Sequence, residues 1–195
     1  IIEEKQPDPN QPTTLLTKTL YEYTPQTTGT RLKKIDFLDA NTFVESFVYT
    51  DGFERPIQTR QEMESANQFA VTDTVYNEVE QVHKQSVPYV SSGSAKTNST
   101  NISDFYTTYS YDPLSRVIAT QNSVGTETKS YDDWATTITD PRGKVKRFYN
   151  DAEDRLVKVD EINSGNTYST QYVYNGAGKL IKIIDALGNL RQFNY

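Results

Sequence analysis

One pattern constrains this chain more than any other. A tyrosine is followed, one or two residues later, by Asp or Asn. An Arg or Lys then follows after a short turn-forming stretch. The copies are Tyr49-Thr50-Asp51 with Arg55, Tyr111-Asp112 with Arg116, Tyr149-Asn150-Asp151 with Arg155, and Tyr174-Asn175 with Gly178 and Lys179. Tyr76-Asn77 is a degraded copy. A second kind of turn lies between copies, at Asp140-Pro141-Arg142-Gly143 and at Asp185-Ala186-Leu187-Gly188. Tyr111, Tyr131, Tyr149, Tyr174 and Tyr195 follow one another at intervals of 18 to 25 residues. An interval of about 20 residues holds two strands and two turns, because a strand usually has about 5 or 6 residues.

Each unit therefore reads as a β-hairpin. Gly and Asn tolerate positive φ at the turn, and Asp accepts nearby amides. The tyrosine before the turn and the cation after it are expected to face each other across the ladder, guanidinium on ring. An isolated hairpin is marginal in water, so copies must lie side by side and bury each other's edges. The expected fold is all-β: consecutive antiparallel hairpins in a curved, twisted sheet.

The rest of the chain fits strands joined by turns. Phe43–Tyr49, Trp134–Ile138 and Thr170–Tyr174 alternate apolar with polar residues at the period of a strand. Residues 1–14 carry Pro7, Pro9 and Pro12 and read as an extended linker or edge segment. Residues 15–90 read as a β region with degraded repeats, 91–105 as a Ser/Thr/Asn-rich surface loop, and 106–195 as the hairpin repeats. Arg60 to Phe69 is the one stretch of good helix formers, but it lacks an apolar face. Both ends read as cut, since the chain lacks a leading Met and stops in a strand-like stretch.

Composition narrows the chemistry. The chain of 195 residues has no Cys and one His. That excludes disulfides, thiolate metal sites, thiol nucleophiles and clustered-histidine sites. A net charge of −6 argues against a nucleic-acid-binding face, and no apolar run is long enough for a membrane helix. His83 has no Ser or Asp motif around it and reads as a solvated strand residue. Asp132-Asp133 and Asp151 with Glu153 and Asp154 read as turn acids rather than a glycosidase pair or a calcium loop. Asn175-Gly176-Ala177-Gly178 lacks the Gly-Lys-Ser/Thr and the helix of a phosphate loop. Asn98 and Asn101 head glycosylation sequons. No catalytic residue, cofactor or metal ligand is expected. A second reading takes Tyr106, Tyr109 and Tyr111, with Tyr172 and Tyr174, as a platform on which sugars stack.

The repeat copies resemble YD repeats, also called Rhs repeats. Tyr109–Val117 and Tyr131–Gly143 carry the nearest likeness, and the stretch from Tyr49 to Tyr89 is similar to parts of SpvB-like and toxin-complex B-component proteins. The resemblance implies a segment of a large secreted or surface-exposed bacterial protein whose sheet spirals into a hollow shell. It implies flanking repeats of the same parent chain as partners, along with an enclosed toxin domain or toxin-complex subunits. Members often carry an aspartyl autoprotease core, but Asp140-Pro141-Arg142-Gly143 matches that core only superficially, so no catalytic role passes to it. Glu54, Ser115 and Asp154 stand where the repeat has Gly before Arg, which predicts looser turns there.

Overall fold

The computed structural model describes residues 1–8, 11–39, 42–97 and 105–195. Asn98 and Asn101, and with them residues 98–104 of the expected loop, lie outside the described residues. The fold is all-β and antiparallel, as the hairpin repeat predicts. The chain divides into two compact units, Ile1–Thr107 and Thr108–Tyr195.

In the first unit the strands are β1 (Ile2–Asp8), β2 (Gln11–Gln26), β3 (Gly29–Phe37), β4 (Phe43–Thr50), β5 (Pro56–Glu62), β6 (Gln68–Tyr76), β7 (Val82–Ser86) and β8 (Tyr89–Ser92). Each of β1 to β6 pairs with the next. The long β6 then serves two partners. Its first half pairs with β8 and its second half with β7. Phe47, Tyr49, Phe69 and Val71 form the buried apolar core, with Ile57 and Tyr89 packed against it. The Phe47 and Phe69 rings meet edge-on at 5.7 Å.

No helix forms between Arg60 and Phe69. Arg60 pairs with Phe47 on one side and Val71 on the other, within β5. The chain then reverses at 63–67, where Met63 N–H donates to Gln68 O at 2.9 Å and Asn67 takes φ 58°. Cross-strand pairing of a buried row outweighs the local preference for helix, which amounts to only tenths of a kcal/mol per residue (roughly 0–0.7).

The second unit is a meander. β9 (Tyr106–Tyr111), which begins just inside the first unit, leads to β10 (Val117–Asn122), β11 (Gly125–Asp132), β12 (Ala135–Thr139), β13 (Val145–Asn150), β14 (Leu156–Asn163), β15 (Asn166–Tyr174), β16 (Leu180–Ile184) and β17 (Leu190–Gln192). Every strand pairs with its successor. Among its described residues only Asp160 is fully buried, and the strands are mostly half-exposed. This unit is held by its ladders and by contacts between neighbouring hairpins.

Candidate functional site

The repeated feature is a turn, and its head is an Asp or Asn side chain. At Asp51, Asn77, Asp112, Asp140, Asp151, Asn175 and Asp185, Oδ1 accepts the backbone N–H two residues on and the one four residues on. The distances are 2.8–3.1 Å. The backbone N–H of the head residue also donates to the carbonyl four residues on, as Asp112 does to Arg116 at 3.0 Å. One short polar side chain thereby satisfies donors that a tight reversal would otherwise leave unpaired.

The residue three after each head has positive φ. It is glycine at Gly143, Gly178 and Gly188, with φ of 74°, 74° and 83°. It is Glu54, Glu80, Ser115 or Asp154 elsewhere, with φ of 60° to 66°. The turns at Glu54, Ser115 and Asp154 are therefore the same turn as the glycine ones, not looser. Their hydrogen bonds hold those residues in a left-handed conformation that costs about 1–2 kcal/mol.

Where Arg stands four after the head, it clamps the second carboxylate oxygen. Nε and Nη2 of Arg55, Arg116 and Arg155 reach Oδ2 of Asp51, Asp112 and Asp151 at 2.6–2.8 Å. Glu153 also contacts Arg155. Asp151 and Glu153 are thus counter-ions of a turn arginine, while Asp154 accepts from Asn150 Nδ2 at 2.6 Å. The Arg116 backbone N–H, then its side chain, holds the Asp112 carboxyl below its ordinary range. The Arg155 side chain does the same for Asp151. At Asp51 partial burial works the other way, but bonds from the Arg55 side chain and from backbone N–H groups outweigh it.

The cation does not face the tyrosine of its own copy. It stacks on the tyrosine of the next one. Arg55 lies over Tyr76 at 4.6 Å, Arg116 over Tyr131 at 4.2 Å, Arg155 over Tyr174 at 5.1 Å, and Lys179 over Tyr195 at 4.9 Å. Each of those phenols donates a hydrogen bond to the carbonyl just after the cation. The acceptors are Pro56, Val117, Leu156 and Leu180, at 2.9–3.0 Å. The expected pairing within one hairpin fails because the head residue already holds the arginine over the turn. From there its free face meets the next hairpin. The latch therefore joins successive copies.

Other expected residues divide by position. Tyr49 and Tyr149 stand two residues before the turn head, not one, so alternation sends them to the other face. Tyr49 is buried and its hydroxyl donates to Ser94 O. Tyr149 lies under Lys158 at 4.8 Å. Tyr131-Asp132 does not head such a turn: Asp132 pairs with Ala135 around a two-residue loop, Asp133-Trp134. Gly188 is the positive-φ residue of the Asp185 turn. Alternation puts Tyr106 on the face opposite Tyr109 and Tyr111, so these three make no single row. Tyr106 lies under Lys84 at 4.4 Å, and Tyr172 faces Ile183 across the ladder. His83 is exposed on β7.

A buried polar cluster in the first unit has no signature in the residue pattern. Arg60 and Gln58 on β5 are each only 1% exposed. Gln58 Nε2 donates to Asp73 Oδ1 at 2.6 Å and to Thr97 O at 2.8 Å. Arg60 donates to Gln58 Oε1, Thr97 Oγ1 and the Gly93 carbonyl at 2.7–3.2 Å. Tyr89 completes the cluster through Asp73 Oδ2. The stretch Gly93–Thr97 is thereby strapped over β5. Only the strand register, which brings Gln58 between Tyr49 and Asp73, could have pointed to it.

Among the described residues no group of acids and His could hold a metal ion, and no helix is long and apolar enough to cross a membrane. A family model described as a domain of unknown function (DUF6443) matches residues 21–133. The chain belongs to the DUF6443 family. That match runs from β2 to the two-residue loop after β11 and takes in the turns at Asp51, Asn77 and Asp112. None of the curated proteins matches this DUF6443 chain. Solved structures do. The crystal structure of TcdB2-TccC3 aligns with 94% of this chain at a TM-score of 0.71 and 17% identity. The crystal structure of TcdB2-TccC3-Cdc42 aligns with 80% at 0.66, and the Photorhabdus luminescens Tc holotoxin pore, with a TccC3 mutation, with 80% at 0.65; both are 17% identical. The chain spans about a tenth of the length of those chains, at 10–11%. The likeness shows a shared fold.

Proposed function

We propose that this DUF6443 chain is a wall segment of a larger secreted bacterial protein of the Tc or Rhs kind, with no catalysis of its own. The observation that carries this reading is the latch from one hairpin to the next. It stabilises a sheet that has little core behind it, as a shell wall requires. The likeness to TcdB2-TccC3 and to the Tc holotoxin supports it. The aspartates that head the described turns accept backbone amides, and three of them also hold an arginine, which ties those carboxylates to the turn rather than to proton transfer. On this reading the partners are flanking repeats of the parent chain and a toxin domain held behind the wall.

Electron cryo-microscopy of the parent protein tests the reading. The expected map shows these strands continuous with further hairpins around a lumen. A free-standing domain with a polar cleft, away from any enclosing sheet, would sink it.

A further inference from the structure

The chain has one Asn-Gly pair, Asn175-Gly176, at the head of the turn from β15 to β16. Asn175 Oδ1 accepts the N–H groups of Ala177 and Lys179, each at 3.0 Å. Two fixed donors on one carbonyl oxygen stabilise the charge that develops there when a nucleophile adds to its carbon. The nucleophile supplied by the covalent frame is the Gly176 backbone nitrogen, which closes a five-membered ring on Cγ. Gly176 has no side chain to obstruct closure, and a Cβ built there meets nothing within 4 Å. Residues 176–178 are exposed, so water reaches the site.

Asn77 provides a contrast inside the same molecule. It heads the same turn and receives the same two donors. Its Nδ2, however, donates to Gln81 Oε1 at 3.0 Å, and Glu78 follows it. Asn175 Nδ2 donates no hydrogen bond among the described residues, so it leaves more freely.

We propose that Asn175 is a self-modification site, which converts spontaneously to aspartate in the folded chain. Water takes the Gly176 N–H proton and the nitrogen bonds to Cγ. The Cγ–Nδ2 bond breaks and ammonia leaves with a proton. Water then opens the cyclic imide. Cleavage at Cγ gives aspartate, and cleavage at the main-chain carbonyl gives isoaspartate. The net reaction consumes one water and releases one ammonia, with no oxidation or reduction.

The turn treats the two products differently. Aspartate is what heads the turns at positions 51, 112, 140, 151 and 185. Its second oxygen becomes available to Lys179, as that of Asp151 is to Arg155. Isoaspartate puts an extra main-chain atom between Asn175 N–H and Lys179 O, now 2.9 Å apart, and breaks the reversal.

The test incubates the full chain at mildly alkaline pH, folded and in urea, and maps peptide masses with fragmentation that separates the two products. The expected result is conversion at Asn175 and not at Asn77, at a rate in the folded chain no lower than in urea. Asn175 persisting in the folded chain while it converts in urea overturns the proposal. Gly176→Ala should bring position 175 down to the behaviour of Asn77, and undiminished conversion in that variant overturns the ring-closure route.

Discussion

A single backbone angle sets the local energetics of these turns. Ser115 sits at φ 64° only because the bonds around Asp112 hold it there. Ser115→Gly should therefore raise stability by about 0.5–1 kcal/mol, read from urea midpoints at unchanged m-value. Gly178→Ala, at φ 74°, should lower it by about 1 kcal/mol. Gly29 is a harder case, since a Cβ there would stand 2.0 Å from the Thr50 carbonyl oxygen. The head carboxylates add a pH dependence. Asp51, Asp112, Asp151 and Asp185 are all held below their ordinary range in the folded chain. The unfolded chain therefore binds more protons in acid. The stabilisation is complete at neutral pH and is lost as pH falls below about 4. Urea midpoints measured from pH 7 down to pH 3 should drop in that range, and the drop should shrink in Asp112→Asn.

Between strands, the latch couples one hairpin to the next. Arg155 over Tyr174, with the phenol on Leu156 O, is one instance. Tyr174→Phe keeps the ring and loses one hydrogen bond, so about 1 kcal/mol should go. A double-mutant cycle of Arg155→Ala and Tyr174→Ala should show a coupling of about 0.5–1 kcal/mol. A coupling of zero would mean that the stack is incidental. The strap over β5 behaves differently, because its charge is buried. Arg60→Met keeps volume but leaves the Gly93 carbonyl and Thr97 without a donor. It should cost about 2–3 kcal/mol and expose 93–97 to protease, whereas an exposed lysine such as Lys146 should cost little.

Over the whole molecule, apolar burial is uneven. The fully buried apolar side chains among the described residues all lie between Ile35 and Val71. Residues 108–195 contribute none. Local opening is easiest where few apolar contacts must be broken. Amide hydrogen exchange should therefore be slowest in β4, β5 and β6 and faster throughout β10 to β17. The reverse order would mean that the latches outweigh the core. Such a sheet gains its stability from neighbours, which is the behaviour of repeat architectures.

The sequence alone determined the all-β class, the hairpin repeat and the turn heads at Asp51, Asp112, Asp140, Asp151, Asn175 and Asp185. These follow from local chemistry: short polar side chains, positive-φ residues and a period of two are all written within a few neighbouring positions. Tertiary structure alone decided which tyrosine each cation covers, which face Tyr49 and Tyr106 take, and that Arg60 and Gln58 lie buried rather than in a helix. Those outcomes depend on strand register. Register brings together residues far apart in the chain, such as Arg116 with Tyr131 and Gln58 with Asp73, and a one-residue slip would send each side chain to the opposite face.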